Sequence, residues 1–213
     1  KNVFSLGKQP LANNLSSKLN QKVLLYELNL NLCKKCYNCQ LSKVVNPKKL
    51  FQNYLYQSSI SQSFIKHFDE SSKKFIKLFN LKKDKSVIID VGSNDGIGLI
   101  PFKKRGFNKL IAIEPAKKLA IITKKKKIKT YNCFLDNNIS NRLRNKADVI
   151  MASNVFAHVK NINNFSKNIF KMLKDDGIFV VEVQYLSNML LDGSFDNIYH
   201  EHLYYWSINA LKN

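Results

Sequence analysis

The chain has 213 residues, 45% of them hydrophobic, and a formal charge of +20, enough for one α/β domain with a small additional region. No apolar run approaches the roughly 20 residues that a membrane-spanning helix needs, so we expect no membrane association. The basic charge comes from 32 lysines and three arginines. Because nucleic-acid recognition favours arginine, we expect no nucleic-acid partner.

Residues 1–57 are polar, follow no regular pattern and contain Cys33, Cys36 and Cys39. Two thiolates at C-x-x-C spacing can bind one Zn²⁺, but a structural zinc site has four ligands. The two C-x-x-C pairs here overlap at Cys36. We predict an incomplete zinc-binding region over 1–57 with Cys33 and Cys36 as ligands, and we expect the second cysteine pair to precede Lys1. Free thiols are the alternative interpretation.

Regular elements are predicted after this region. Apolar residues at three- and four-residue spacing predict a helix over about 60–80, within a linking region at 58–82. From 83 to 213 strands alternate with helices, which indicates an α/β, Rossmann-like domain with a doubly wound parallel sheet. The predicted strands are 86–91, 109–114, 128–134, 147–153 and 178–183. The predicted helices are 97–106, 116–124 and 162–174, the last one ending at the helix-stop sequence 175–177.

A glycine-rich turn, Asp90-Val91-Gly92-Ser93-Asn94-Asp95-Gly96-Ile97-Gly98, follows the first strand of this domain, and Glu114 closes the next strand. This order of elements, in which a strand, a glycine turn, a helix and a second strand lead to an acidic residue, is typical of nucleoside-cofactor sites. The spacing D-x-G-x-x-x-G-x-G differs from the dinucleotide fingerprint G-x-G-x-x-G, and no G-K-[ST] sequence is present. A turn that uses glycine only for its backbone geometry is the alternative interpretation.

This turn resembles motif I of the class I S-adenosylmethionine-dependent methyltransferases. The resemblance implies that the backbone of the turn approaches the amino-acid part of the cofactor and that Glu114 accepts hydrogen bonds from the ribose. A complete domain of this class has seven strands, so we expect the last two to lie beyond Asn213. The implied cofactor-binding residues are Asp90, Gly92, Ser93, Asn94, Asp95, Gly96, Glu114 and Asn154.

Three of the four histidines follow predicted strands at their carboxyl ends, where ligands bind in an open sheet. His158 follows strand 147–153, and His200 and His202 lie in Tyr199-His200-Glu201-His202 after strand 178–183. Histidines and tyrosines beside a methyl donor suggest proton transfer during methylation. A metal site or a surface loop is the alternative, but the H-E-x-x-H spacing of zinc proteases is absent.

Over its whole length the chain resembles the zinc-containing sugar C-methyltransferases, which methylate a carbon of nucleotide-linked 4-keto-deoxysugars. The most specific matches are Gly92-Ser93-Asn94-Asp95-Gly96 and the Tyr199-His200-Glu201-His202 block. The chain departs from the family at Cys39, where an apolar residue is expected. It also has one cysteine pair where the family has two and no carboxy-terminal domain, which predicts that it is a fragment. The matching segments are 6–13, 33–36, 40–41, 50–59, 92–96, 113–115, 154–159 and 195–205.

The resemblance implies a cytoplasmic C-methyltransferase that acts through an enolate on a nucleotide sugar, with S-adenosylmethionine and Zn²⁺ as cofactors. It implies that His202 is the base and that Glu201 orients His202 or binds the sugar. It further implies that the keto oxygen is bound by Tyr199, His158 and either Tyr56 or Tyr54. Two alternatives stay open: an O- or N-methyltransferase acting on another small molecule or nucleic acid, and a non-catalytic zinc-ribbon binding module.

Overall fold

The computed structural model describes residues 1–15, 22–51, 54 and 56–212. The chain forms two compact units. The first unit comprises Lys1–Phe51, Asn154–Lys160 and Glu182–Asn213, and the second comprises Gln52–Ser153 and Asn161–Val181. Each unit is therefore assembled from separate stretches of sequence. No helix in the described ranges is long and apolar enough to cross a membrane.

The described residues form strands and helices in the following chain order. The strands are β1 (Asn2–Gln9), β2 (Tyr26–Leu32), β3 (Cys39–Leu41), β4 (Ile88–Val91), β5 (Leu110–Ile113), β6 (Lys129–Tyr131), β7 (Ala147–Ser153), β8 (Leu173–Glu182) and β9 (Tyr204–Tyr205). The α-helices are α1 (Pro47–Phe51), α2 (Gln62–Leu78), α3 (Ile100–Lys104), α4 (Lys117–Lys125), α5 (Asn137–Arg142), α6 (Ile162–Met172), α7 (Leu186–Asp192) and α8 (Ile208–Lys212).

A sheet with the strand order β6-β5-β4-β7-β8 forms the centre of the second unit. β4 pairs in parallel with β5 and β7, and β5 pairs in parallel with β6. Every residue of β4 and β5 is buried, as expected for parallel strands covered on both faces. The winding reverses between β4 and β7. The carboxyl end of β4, where the glycine-rich turn begins, therefore lies at the switch point where such sheets bind ligands.

The predicted doubly wound parallel sheet is confirmed, but the end of one helix is not where the sequence predicted it. Helix α6 ends at Met172, and β8 begins at the next residue, Leu173, whose backbone is extended. The carbonyls of the last two helical residues accept hydrogen bonds from the N–H groups of Asn145 and Lys146. These contacts, rather than a glycine cap, accompany the end of the helix, and Gly177 lies within β8.

The first unit corrects the prediction of an irregular region over residues 1–57. β1 pairs with β2, β2 with β3 and β3 with β9, in each case antiparallel. β2 alternates leucine with Glu27, Asn29 and Asn31, and this period of two is a strand signal that could have been read from the sequence. Leu28 and Leu30 of this strand are buried in a cluster with Leu41, Leu203 and Tyr205.

We predict that Gly177→Ala destabilises the second unit, because a Cβ at this position would lie 2.7 Å from the Ala147 carbonyl oxygen and 3.0 Å from the Lys174 nitrogen. Both are backbone atoms that cannot rotate away, so we expect a loss of about 1–3 kcal/mol in the free energy of unfolding. Urea unfolding measures it, with exposed Asp176→Ala as the control. Equal unfolding midpoints for the two variants would contradict the prediction.

Candidate functional site

The turn after β4 requires a left-handed backbone at three alternate residues. The φ angles are 69° at Gly92, 51° at Asn94 and 84° at Gly96, a region that glycine adopts freely and asparagine more easily than most residues. Gly98 lies close to the Asp90 side chain, because a Cβ at residue 98 would lie 2.7 Å from Oδ2 of Asp90 and would force the carboxyl group to shift. We call residues 92–96 the cofactor turn.

Glu114, at the end of β5, is held by the cofactor turn. Its Oε2 accepts the Asn94 N–H at 2.8 Å, and its Oε1 accepts the Ala116 N–H at 2.8 Å. The side chain is buried, and burial raises the pKa of Glu114 to about 7 even though both hydrogen bonds favour the charged form. The carboxyl group is therefore poised to ionise near neutral pH when further donors reach it.

Asp95 lies within the cofactor turn and is completely buried. Nζ of Lys126 donates to its carbonyl oxygen at 2.7 Å and lies 3.6 Å from its carboxylate. Lys126 belongs to a run of four lysines, 124–127, whose ordinary interpretation is a solvated turn. Within the described residues, neither carboxylate oxygen of Asp95 accepts a hydrogen bond. The half-buried Lys126 is thus a counter-charge for Asp95, a role that no local pattern in the sequence indicates.

The second unit offers the groups that a nucleoside with an amino-acid tail needs. Glu114 supplies buried acceptor oxygens for vicinal hydroxyls, and the left-handed turn carries no side chain at Gly92 or Gly96. The Ser93 hydroxyl is 2% exposed and has no hydrogen-bond partner among the described residues. These residues fit S-adenosylmethionine, and the predicted roles of Asp90, Gly92, Ser93, Asn94, Asp95, Gly96 and Glu114 in binding it stay predictions.

His202 lies in the first unit, where its protonation pattern follows from its two hydrogen bonds. Nδ1 lies 2.9 Å from the Asn197 carbonyl oxygen. Because a carbonyl only accepts, Nδ1 carries the proton of the neutral ring. Nε2 then has a free lone pair, which accepts the Tyr199 hydroxyl at 2.9 Å. Burial lowers the pKa of His202, so the ring is neutral at pH 7 and able to take a proton.

His158 is close to His202, with 5.0 Å between the ring centroids. Its Nδ1 donates to the Glu201 carbonyl oxygen at 2.6 Å. Burial, followed by the nearby charge of a protonated His202, lowers the pKa of His158 to about 4. Asn154 begins the loop that leads to His158 and has a φ angle of 55°. Its backbone N–H donates to the Glu182 carbonyl oxygen at 2.8 Å. Neutral His158 therefore holds the backbone next to His202.

The Glu201 side chain is held by a residue for which the sequence suggested no role. The Asn13 side-chain amide donates to its Oε1. Glu201 is 2% exposed, and burial raises its pKa. Asn13 lies in the matching segment 6–13, but a separation of 188 residues hid the contact. We call His158, Tyr199, Glu201 and His202 the histidine group, and the first unit brings all four together.

Tyr56 belongs to the second unit and has a 46% exposed side chain. Its ring centroid lies 6.5 Å from that of Tyr54, edge to face, and its carbonyl accepts the Asn94 side-chain amide at 2.9 Å. Leu55, in the matching segment 50–59, lies outside the described residues. The predicted role of Tyr56, or of Tyr54 in its place, stays a prediction.

The two cysteines predicted to bind zinc, Cys33 and Cys36, lie in the first unit. The Cys33 sulfur accepts hydrogen bonds from the backbone N–H groups of Cys36 and Lys35, which lower its pKa. Cys39 instead packs against the apolar cluster of the first unit, and burial raises its pKa. Among the described residues no three Cys, His, Asp or Glu side chains are grouped to hold a metal. Two thiols fit two of four zinc ligands and do not complete the site.

Solved structures share this fold. A SAM-dependent methyltransferase from Archaeoglobus fulgidus superposes with a TM-score of 0.54 over 70% of this chain and 65% of its own, at 16% identity. The plantazolicin methyltransferase BpumL, solved with S-adenosylhomocysteine, gives a TM-score of 0.52 over 62% of this chain and 52% of its own, at 17% identity. The fold is that of the class I methyltransferases, as predicted.

Family models cover most of the chain. The model described as "Methyltransferase domain" matches residues 64–213, and the model described as "Putative zinc binding domain" matches residues 1–51. The chain therefore belongs to the methyltransferase domain family. The C-methyltransferase NovU of Streptomyces niveus is 28% identical over 98% of this chain. The chain spans 50% of the length of that protein.

We predict that S-adenosylhomocysteine binds more tightly as the pH rises from 6 to 8. Ribose hydroxyls donate to the ionised form of Glu114, so binding lowers its pKa and releases a proton. In the unliganded protein the pKa of Glu114 is about 7. The affinity should therefore decrease as the pH is lowered, by about tenfold from pH 8 to pH 6. Calorimetry measures the affinity. Glu114→Gln should bind weakly and without this pH dependence, and an equal pH dependence in both proteins would exclude Glu114 as its source.

Proposed function

We propose that this protein transfers a methyl group from S-adenosylmethionine to a carbon beside a ketone, in a nucleotide-linked 4-keto-deoxysugar, through an enolate. The proposal is supported by the similarity to NovU, which is named a C-methyltransferase, and by the histidine group. The nucleotide sugar, rather than nucleic acid, is the partner we propose. We place the reaction in the cytoplasm, in keeping with the four free cysteine thiols.

The observation that carries the proposal is the neutral His202 ring, whose Nε2 accepts a hydrogen bond from the Tyr199 hydroxyl. A carbon beside a ketone becomes a nucleophile only after it loses a proton, whereas an oxygen or nitrogen acceptor needs no base of this kind. A pair made of a buried neutral imidazole and a half-buried tyrosine hydroxyl is suited to that proton transfer. The cofactor supplies the electrophilic methyl group and a sulfur leaving group.

We propose the following proton movement within the histidine group. The Tyr199 oxygen takes the proton from the substrate carbon while its own proton passes to Nε2 of His202. The carbon–hydrogen bond breaks, and its electron pair forms the enolate, whose negative charge lies on the former keto oxygen. His202 thus becomes the positive partner of the enolate. This assigns Tyr199 to a proton relay rather than to the keto oxygen alone.

The other residues have supporting roles in this proposal. Nδ1 of His158 donates to the Glu201 carbonyl oxygen, and this bond fixes the segment that carries His202. Glu201, buried and bonded to Asn13, is suited to bind a sugar hydroxyl in its charged or its neutral form. Tyr56, whose side chain is 46% exposed, is free to donate to the enolate oxygen. Asn154 starts the loop that leads to His158.

We predict that the wild-type protein exchanges the acidic proton of a 4-keto nucleotide sugar for deuterium in D₂O without S-adenosylmethionine. His202→Gln should slow this exchange at least about a hundredfold, the usual contribution of a general base. Tyr199→Phe should slow it comparably, because the relay needs the hydroxyl. NMR of the recovered substrate measures the rate.

His67→Gln is the matched control, since His67 lies on α2 in the second unit. Its exchange rate should equal that of the wild type. Wild-type exchange in His202→Gln would remove His202 from the role of base. Methylation without any exchange in the wild type would favour an O- or N-methyltransferase.

We also propose that Cys33 and Cys36 are two of the four ligands of a structural zinc ion. The N–H groups directed at the Cys33 sulfur stabilise its thiolate form, which is the form that binds zinc. In the full-length protein, Cys36→Ser should lower the zinc content measured by mass spectrometry. Cys133→Ser, outside this pair, should retain it, and equal zinc in the two variants would contradict the proposal.

A further inference from the structure

Asn94 is the most highly connected residue of the cofactor turn. It accepts and donates through both its backbone and its side chain, and every one of its bonds lies within the second unit. Its N–H donates to Oε2 of Glu114 (2.8 Å), its Oδ1 accepts the N–H groups of Ser58 (3.0 Å) and Asp95 (2.9 Å), its Nδ2 donates to the Tyr56 carbonyl (2.9 Å), and its carbonyl accepts the Thr123 hydroxyl (3.1 Å).

The side-chain amide of Asn94 pairs with a short backbone segment as a neighbouring strand would. Its Nδ2 donates to the Tyr56 carbonyl, and its Oδ1 accepts the Ser58 N–H. One planar amide therefore binds an acceptor and a donor of the same segment. The left-handed backbone at Asn94 could equally be met by glycine. Glycine would leave both of these backbone groups without this partner, which gives asparagine at this position a physical reason.

We propose that Asn94 is a positioning residue that fastens residues 56–58 to the cofactor turn and thereby sets the place of Tyr56. This role goes beyond the cofactor contact predicted for Asn94. It rests on the proposed function, in which Tyr56 meets the keto oxygen of the acceptor. Tyr56 is 46% exposed, and its carbonyl is held by the side-chain amide of Asn94.

The same residue also contacts the acid proposed to bind the ribose. The Asn94 backbone N–H donates to Oε2 of Glu114, and the Asn94 side-chain amide donates to the Tyr56 carbonyl. Asn94 therefore forms one continuous set of hydrogen bonds from the Glu114 carboxylate to the segment that carries Tyr56. Loss of the side chain should loosen the segment and leave the bond from Asn94 to Glu114, which is a backbone bond, in place.

The test compares Asn94→Gly with Asn145→Gly, a control with the same chemical change at an exposed residue of φ 51°. In Asn94→Gly the amide hydrogen of Ser58 should exchange with solvent about tenfold faster, since its hydrogen bond to Oδ1 of residue 94 is lost. The contact predicted between this turn and the cofactor is made by the backbone, which Asn94→Gly retains, so its affinity for S-adenosylhomocysteine should stay within about threefold of the wild type. Its kcat should fall by about tenfold. Asn145→Gly should match the wild type in all three measurements.

A double-mutant cycle with Tyr56→Phe shows whether Asn94 acts through Tyr56. The fold decrease in kcat caused by Asn94→Gly should be smaller in the Tyr56→Phe protein than in the wild type. Unchanged Ser58 exchange in Asn94→Gly would overturn the proposal, as would a loss of S-adenosylhomocysteine affinity as large as the loss of kcat. A wild-type protein that methylates no 4-keto sugar would contradict the proposed function alone, because the exchange comparison needs no acceptor.

Discussion

The histidine group depends on the hydrogen bonds that place Leu203 between two parts of the first unit. Its carbonyl accepts the Leu41 N–H at 2.9 Å, next to the register pairs of β3 and β9. Its N–H donates to the Ala157 carbonyl at 2.8 Å. Since His202 precedes Leu203 and His158 follows Ala157, this one pair of bonds brings the two histidines together.

The second unit has to accommodate two buried carboxyl groups at its candidate site. Glu114 and Asp95 lie in the interior near the cofactor turn, and each is held mainly by backbone groups or by Lys126. Burying a carboxylate is costly unless it is paired or hydrogen-bonded. Glu114 meets this cost by a raised pKa, and ligand hydroxyls would lower that pKa again. The site is therefore poised for an uncharged donor such as ribose.

The sequence was sufficient for the parts of the molecule that repeat a local pattern. The alternating apolar runs predicted the parallel sheet, and Gly92 and Gly96 marked the turn. The antiparallel sheet of the first unit was missed because β3 and β9 are very short and β1 is largely exposed, although β2 carries a period of two. The link from Asn13 to Glu201 joins residues 188 apart, and no local pattern encodes such a contact. The protonation of His202 follows from the Asn197 carbonyl, a backbone group that has no sequence signature.

Methyl transfer to carbon is the central claim, and the product itself tests it most directly. The full-length protein is incubated with ¹³C-methyl S-adenosylmethionine and a nucleotide-linked 4-keto-deoxysugar, and the product is analysed by NMR. The account predicts a labelled methyl group with one-bond coupling to a ring carbon beside the ketone. A labelled methyl group attached to oxygen or nitrogen would contradict it.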